Sequence, residues 1–566
     1  MSPAACFPQW HNLNNAVICS RVIPVIFLLL AVAVIPAAAA SLSGCPGCTN
    51  RTDSCAAFEQ NNETAYNEAI TASFAPIAAN MTPAADYRNL SWTGAFISLN
   101  NLMKERYAFT EWRSVDFDAL NRTWVPAIAD AEKRQDKAAY VRALRGYLYA
   151  IPDGHVNMLS VSGDFGAKYA DIGGGYGLAL VQLDSGDVAV SYVADGSAAE
   201  KAGILPGDTV TTWNGVEIHA AINATPYIWA TKKPSTKEGI QLQQTRLLTR
   251  APVGTTVSVS ITNGSERSAR FVYLTAYDDG YDSLAKSSFF LGKQINDIGA
   301  ANPMTDIVPQ ISNETVTTRT LPGGYTYLEI LEESYSAYQP FKDAMLAAIQ
   351  NKSPGMVIDL RFNGGGEDQL AACFGGWFVD KPVFYEQATM YDPGTRQFTP
   401  FTESWSQPQP VRYTGPVAVL VSPDAISSGE GLPMVFTRSG RGAIVSWYGT
   451  DGAFGMNGLQ AVMPLDLYVL FPAGASLDRN GTIQVDSNAS LTGGVAPTVR
   501  VPLNNDTVTR AMAGEDVQLT YAMAWLDGER GIATPDATAT PTQKAGAGMA
   551  VVLAAIGMAI VIAKRK

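Results

Sequence analysis

Only three histidines occur in the 566-residue sequence, His11, His155 and His219, so imidazole chemistry has few places to reside. An unperturbed imidazole titrates near pH 6.5 and can take a proton from a hydroxyl and return it to a leaving amine. His155 closes the run Ile151-Pro152-Asp153-Gly154-His155, whose proline and glycine predict a turn that presents the ring at the edge of a domain. Hydroxyls gather in Ser422-Pro423-Asp424-Ala425-Ile426-Ser427-Ser428-Gly429-Glu430, directly after the apolar run Val417-Ala418-Val419-Leu420-Val421. A reactive group between the end of a buried parallel strand and the start of a helix lies where open α/β sheets place their chemistry. A serine hydroxyl is a poor nucleophile at neutral pH and needs a base beside it, while the free N–H groups of a helix start favour a developing oxyanion. A serine here would equally serve as a helix N-cap.

Three kinds of element must bring these groups together. Residues 56–165 read as an amino-terminal helical domain, with apolar residues at helical spacing in Phe96, Leu99 and Met103 and in Val141, Leu144, Leu148 and Ile151. Residues 172–275 change to short β-branched strands such as Val188-Ala189-Val190 and Thr256-Val257-Ser258-Val259, separated by turns. The order Gly173-Gly174-Gly175-Tyr176-Gly177-Leu178, then Ala198 to Asp208, then Asn214-Gly215, resembles a PDZ domain. That resemblance implies a peptide-binding loop at Gly175, Tyr176, Gly177 and Leu178, whose N–H groups would hold a terminal carboxylate. Residues 285–510 alternate strand and helix, the pattern of an α/β core. The glycines of the β region do not form a convincing dinucleotide-binding fingerprint.

The formal charge is −12, from 40 Lys+Arg against 52 Asp+Glu, and no basic run away from the termini could follow a phosphate backbone, which argues against a nucleic-acid partner. The apolar segment Val22 to Ala40 ends in small residues, so residues 1–40 read as a signal peptide, with an uncleaved anchor as the alternative. Residues 530–544 form a Thr/Pro stalk, and residues 545–563 form an apolar transmembrane helix followed by Lys564, Arg565 and Lys566. The expected location is the cell membrane, single-pass, with the body outside the cytoplasm. Asn-x-Ser/Thr sequons, Asn62, Asn89, Asn121, Asn263, Asn313, Asn480 and Asn505 among them, permit glycosylation there. Cys45, Cys48, Cys55 and Cys373 remain after signal removal, and disulfides among the first three are expected but unassigned. Leu42-Ser43-Gly44-Cys45 also resembles a lipobox, whereas Cys45-Pro46-Gly47-Cys48 lacks the second pair or histidine that a zinc site needs.

The segment Gly355-Met356-Val357-Ile358-Asp359-Leu360-Arg361-Phe362-Asn363-Gly364-Gly365-Gly366 looks like the signature of the C-terminal processing, or tail-specific, serine peptidases. The order of helical domain, PDZ-like domain and core follows that family over most of residues 56–510. The resemblance implies a crotonase-like α/β peptidase core, a polypeptide substrate recognised partly near its carboxy terminus, and no metal or organic cofactor. It places the nucleophile on Ser427, three residues before Glu430, with Ser428 as the fallback. Many relatives supply a lysine base roughly 25 residues after the serine, but this chain has no lysine between Lys381 and Lys544. Asp153-Gly154-His155 instead is similar to the motif of the histidine-dependent branch, that of the tricorn core and the chlamydial protease, and makes His155 the base.

A serine triad needs a third group to orient the imidazole. That branch typically supplies a glutamate, yet none occurs between Glu430 and Glu515, so Asp486 takes the position, with Asp478 as the alternative. The N–H groups of Gly365 and Ser428 are the expected oxyanion hole, since glycine lets the backbone approach closely. Asp359 and Arg361 are expected to support this loop structurally. A catalytically inactive peptide- or ligand-binding protein on the same fold is the rival reading.

Overall fold

The computed structural model describes residues 52–53, 85–160, 163–263, 269–292 and 314–530. The expected signal segment, the stalk, the carboxy-terminal apolar segment, Asn62, Asn313, Cys45, Cys48 and Cys55 lie outside the described residues. Among the described residues no helix is long and apolar enough to cross a membrane.

The helical region consists of α1 (Trp92–Arg106), α2 (Phe117–Arg134) and α3 (Lys137–Tyr149). Ser91, Asp116 and Asp136 cap their starts by accepting from the N–H three residues on. Phe96, Leu99, Met103, Val141, Leu144 and Leu148 are buried together, as their spacing requires. Immediately after this region comes β1 (Asn157–Ser160), which pairs antiparallel with residues 467–470 and so carries the turn that holds His155 into the rest of the fold.

The main sheet of the β region is antiparallel: β2 (Leu178–Gln182), β3 (Val188–Val193), β4 (Thr209–Trp213), β5 (Thr256–Thr262) and β6 (Arg270–Thr275), adjacent in that order. Val257, Val259 and Ile261 alternate into its core with Leu178, Leu180, Val188 and Val190. Within it α4 (Ile218–Ala224) is followed by the segment 231–236 and α5 (Lys237–Leu248), which packs on β2 through a Gln182–Thr245 side-chain bond of 2.8 Å. Gly175 pairs with Tyr277, Tyr176 is buried edge-on against Trp213, Gly177 adopts φ +76° against Ser197, and Leu178 is buried in β2.

The α/β core holds a sheet of β7 (Val316–Thr320), β8 (Thr326–Ile330), β9 (Met356–Asp359), then β12 (Val417–Leu420) and β13 (Ala443–Ser446), ending in Val499–Arg500. All neighbours after the β7–β8 pair run parallel. Between β8 and β12 the chain forms α6 (Tyr335–Gln350), α7 (Asp368–Gly376) and a long hairpin, β10 (Val383–Asp392) and β11 (Gln397–Ser406). After β12 come α8 (Ser428–Ser439) and, beyond β13, a second hairpin of β14 (Met456–Met463) and β15 (Leu467–Leu477). Parallel strands need cover on both faces. Met356, Ile358, Val417, Val419 and Ile444 face one core with Phe341, Phe374, Leu432 and Val435, while Val357, Ala418, Leu420 and Val445 face the other. That second face is closed by α9 (Asn505–Met512) and α10 (Val517–Glu529) through Val508, Leu519 and Leu526. The core layer thus continues past the boundary expected at residue 510.

Candidate active site

Ser427 stands between β12 and α8 with φ 60° and ψ −136°, a conformation that a residue with a side chain adopts only under strain. Although it occupies the N-cap position, its side chain makes no capping bond. The adjoining bonds are backbone ones: the Ser427 N–H donates to Ala453 O at 2.9 Å, and the Glu430 N–H to Ser427 O at 2.8 Å. The hydroxyl is therefore free of the N-cap role that a serine at a helix start normally takes. Ser428 differs: it is fully buried, and its hydroxyl lies 2.9 Å from Gly366 O and 2.8 Å from Asp368 Oδ1. The fallback serine is thus engaged in structure, while its N–H lies in the first turn of α8, where helices leave donors without intrahelical acceptors.

The glycine loop covers Ser427. A Cβ built on Gly365 would lie 2.5 Å from Ser427 Cβ and 3.1 Å from its Oγ, and Gly365 has φ +87°, so both contact and conformation require glycine. The expected oxyanion role of Gly365 meets a complication. Its N–H donates to Asn363 Oδ1 at 2.8 Å, and Asn363 is held in turn by Ile330 O and Glu333 Oε1. Beneath the loop Arg361 pairs with Asp359 at 2.6 Å and with Asp516 at 2.8 Å, and Tyr327 donates to Asp359 at 2.6 Å.

The turn that bears His155 docks directly on the loop that bears Ser427. A Cβ on Gly154 would lie 2.8 Å from Ile426 Cδ1, 3.3 Å from Ala453 Cβ and 2.4 Å from Asp451 Oδ2. His155 is buried, and burial holds its imidazole down at about 4, opposed by Asp153 and reinforced by Arg113 and Lys232. Its backbone N–H donates to Asp153 Oδ1 at 2.9 Å, but Nδ1 has no hydrogen-bond partner. Among the described residues no hydrogen bond joins His155 to Ser427 or to Asp486.

Asp486, the expected third member, bonds to groups other than His155. Its Oδ1 accepts from Phe454 N (2.9 Å), Gly455 N (3.2 Å) and Arg113 (3.3 Å), while Oδ2 is buried without a partner. Burial raises its carboxyl to about 7. Asp478 accepts from the N–H groups of Asn480 and Thr482 in a turn and takes no part in the cluster.

Arg113, which nothing in the sequence marked out, links the acids. It is fully buried, 3.5 Å from Asp153 and 3.3 Å from Asp486, and it donates to Pro152 O and Ser487 Oγ. Burial works against the ionised form of Asp153, but Arg113, then His155 and the Tyr107 hydroxyl at 2.6 Å, hold its carboxyl below the usual range. Glu430, three residues after Ser427, accepts from Thr450 Oγ1, Gly452 N and Ala453 N, and so fixes the loop that receives the Ser427 N–H.

The described part of the chain contains one further covalent constraint: Cys373, buried in α7, is disulfide-bonded.

Residues 324–501 match peptidase family S41. No match was found among curated proteins. Among solved structures the fold is similar to that of mature CPAF, at 13% identity over 78% of this chain and 98% of that one, with a TM-score of 0.52. It is likewise similar to mature CPAF complexed with lactacystin, at 13% identity, the same coverage and a TM-score of 0.51. Tricorn protease aligns over 77% of this chain and 37% of its own, at 16% identity and a TM-score of 0.33. The strained serine between a parallel strand and a helix, under a glycine loop, lies inside the matched region. Residues 324–501 thus form a core similar to peptidase family S41, which supports a serine-type peptidase.

Proposed function

We propose that the chain is an endopeptidase in which Ser427 attacks the carbonyl of a peptide bond, with His155 as general base. The observation that carries this reading is the contact of the Gly154-His155 turn with Ile426 and Ala453, which flank an uncapped, strained Ser427. The Ser427 proton passes to His155 as the Oγ–carbonyl bond forms. The imidazolium then returns it to the leaving amine, and water, deprotonated by the same imidazole, hydrolyses the acyl-enzyme. The Ser428 N–H is one oxyanion donor. Gly365 supplies the second once its N–H leaves Asn363, a rearrangement of the kind that substrate binding produces in sites whose apo geometry is loose.

Asp486 is the third member in this reading. Its Oδ2 and His155 Nδ1 are both buried without partners, and Arg113 acts electrostatically on both groups. Asp153 already supports the imidazolium electrostatically. Substrates are polypeptides outside the cytoplasm. A disulfide at Cys373 supports an oxidising compartment, and the apolar segment 545–563 would anchor the chain there. The loop Gly175 to Leu178 would receive a substrate's carboxy terminus.

The test incubates the purified chain, Ser427→Ala and His155→Ala with an unfolded protein and follows new amino termini. Activity in the wild type and none above background in either variant is expected. Equal activity in all three would overturn the mechanism, and absence of cleavage by every form would favour a ligand-binding role.

A further inference from the structure

The Asp153-Gly154-His155 turn is closed within itself by Asp153 N–H to Ile151 O (2.8 Å) and Val156 N–H to Asp153 O (3.0 Å). Those bonds shape the turn but do not attach it to the nucleophile. The attachment comes from the segment just before α5, which belongs to the β region and not to the helical region that bears His155. Ser235, fully buried, accepts the Gly154 N–H at 2.7 Å and lies 2.7 Å from Asp451 Oδ2. A hydroxyl has one proton, and the geometry sends it to Asp451, leaving a lone pair for Gly154. Asp451 N–H in turn donates to Ala425 O at 3.0 Å, two residues before Ser427.

A buried chain of hydrogen bonds therefore runs from Ala425 through Asp451 and Ser235 to Gly154, joining the nucleophile loop to the base. Lys233 grips the same turn from the other side, donating from Nζ to Leu148 O (2.7 Å) and Val156 O (2.8 Å). Pro234 stiffens the short link between these two residues. The segment itself is held to the core by Ser487 Oγ on Ser235 O (2.7 Å), Lys237 N–H on Leu491 O (2.9 Å) and Gly449 N–H on Glu238 (3.1 Å).

We propose that Ser235, backed by Asp451 and Lys233, is a positioning residue for His155: it fixes the Gly154 amide relative to the Ser427 loop and thereby sets turnover and not substrate affinity. The inference rests on the reading of His155 as base given above. A displacement of the base by about 1 Å is enough to cost about 100-fold in rate. Such a loss falls on kcat, because the base is needed in the transition state and makes no contribution to ground-state binding.

The experiment measures kcat and KM on a labelled unfolded protein for the full chain and five variants, with thermal melts to report folding. Ser235→Ala and Asp451→Asn are expected to lower kcat about 10- to 100-fold with KM within about twofold. Ser235→Thr, which keeps the hydroxyl, is expected to retain most of kcat, and Lys237→Ala, an exposed side chain in the same segment, all of it. If Ser235→Ala does not fold, Ser235→Cys keeps the volume while replacing a strong acceptor by a weak one and carries the same test. Wild-type kcat in folded Ser235→Ala or Ser235→Cys, or a loss confined to KM, overturns the proposal. His155→Ala separates the two readings: if it is inactive while Ser235→Ala turns over normally, only the positioning role falls, and if it is active, the base assignment falls first.

Discussion

Replacing Arg113 by methionine keeps the length and apolar stem of the side chain but leaves Asp153 and Asp486 buried without their shared cation. Both ion pairs are wholly inaccessible to solvent, so the cost belongs to the class of a broken buried pair, about 3–5 kcal/mol at pH 8. The pH dependence is the sharper expectation. With Arg113 present, Asp153 is ionised in folded and unfolded chains alike between pH 5 and 8, and Asp153 links no proton to folding there. Without it, burial raises the Asp153 carboxyl until the folded variant binds a proton that the unfolded chain does not. Stability of the variant then falls as pH rises, by about 1.4 kcal/mol per unit for one proton, or about 4 kcal/mol from pH 5 to 8. Asp486, already near 7 in the intact protein, is protonated at pH 5 in both forms and adds its share in the same sense above neutrality. Relief of the repulsion between Arg113 and His155 also favours the variant at low pH. The deficit is therefore expected to be largest at pH 8 and smallest at pH 5. Urea unfolding at four pH values, followed by tryptophan fluorescence, measures it, with Trp112 bonded to Asp486 O as a local probe. A deficit that stays constant from pH 5 to 8 would refute the assignment of a charged Asp153 to Arg113.

Three further outcomes follow from the site. The acidic limb of kcat/KM is expected near pH 4 and not near 6.5, because burial holds His155 neutral down to about 4, and a midpoint at 6.5 would contradict that environment. Gly365→Ala is expected to lower kcat about 100-fold with the circular dichroism spectrum unchanged, since the added Cβ meets Ser427 Cβ at 2.5 Å and φ is +87°; near-normal turnover would show that the loop can retreat. Ser428→Ala is expected to remain reactive to a fluorophosphonate at Ser427 while losing about 1 kcal/mol of stability from its contacts with Gly366 and Asp368, and a label found on Ser428 in the wild type would reverse the assignment.

The unbroken apolar run Val417, Ala418, Val419 and Leu420 already specified a strand covered on both faces, and the spacing of Phe96, Leu99 and Met103 a helix buried on one. Both are local periodicities, readable because side-chain direction repeats with the backbone. The glycine loop and the serine beyond the strand were legible for the same reason, since a close approach and a strand-to-helix turn leave residue types behind. The absence of a lysine between Lys381 and Lys544 was legible because composition is.

What the sequence could not disclose was which polar groups meet. Arg113, Ser235 and Asp451 come from three distant stretches and carry no pattern, yet they hold the turn that bears His155. Asp486 was chosen by its place along the chain, and the fold puts its Oδ1 on Arg113 and two backbone amides. Gly365 had the right residue type, but only the fold shows its N–H donating to Asn363. The sequence by itself determined the strands, the helices and the chemical groups available. Only the tertiary structure decided their partners, because hydrogen bonds and ion pairs depend on distances of a few ångströms between segments whose separation along the chain says nothing about their separation in space.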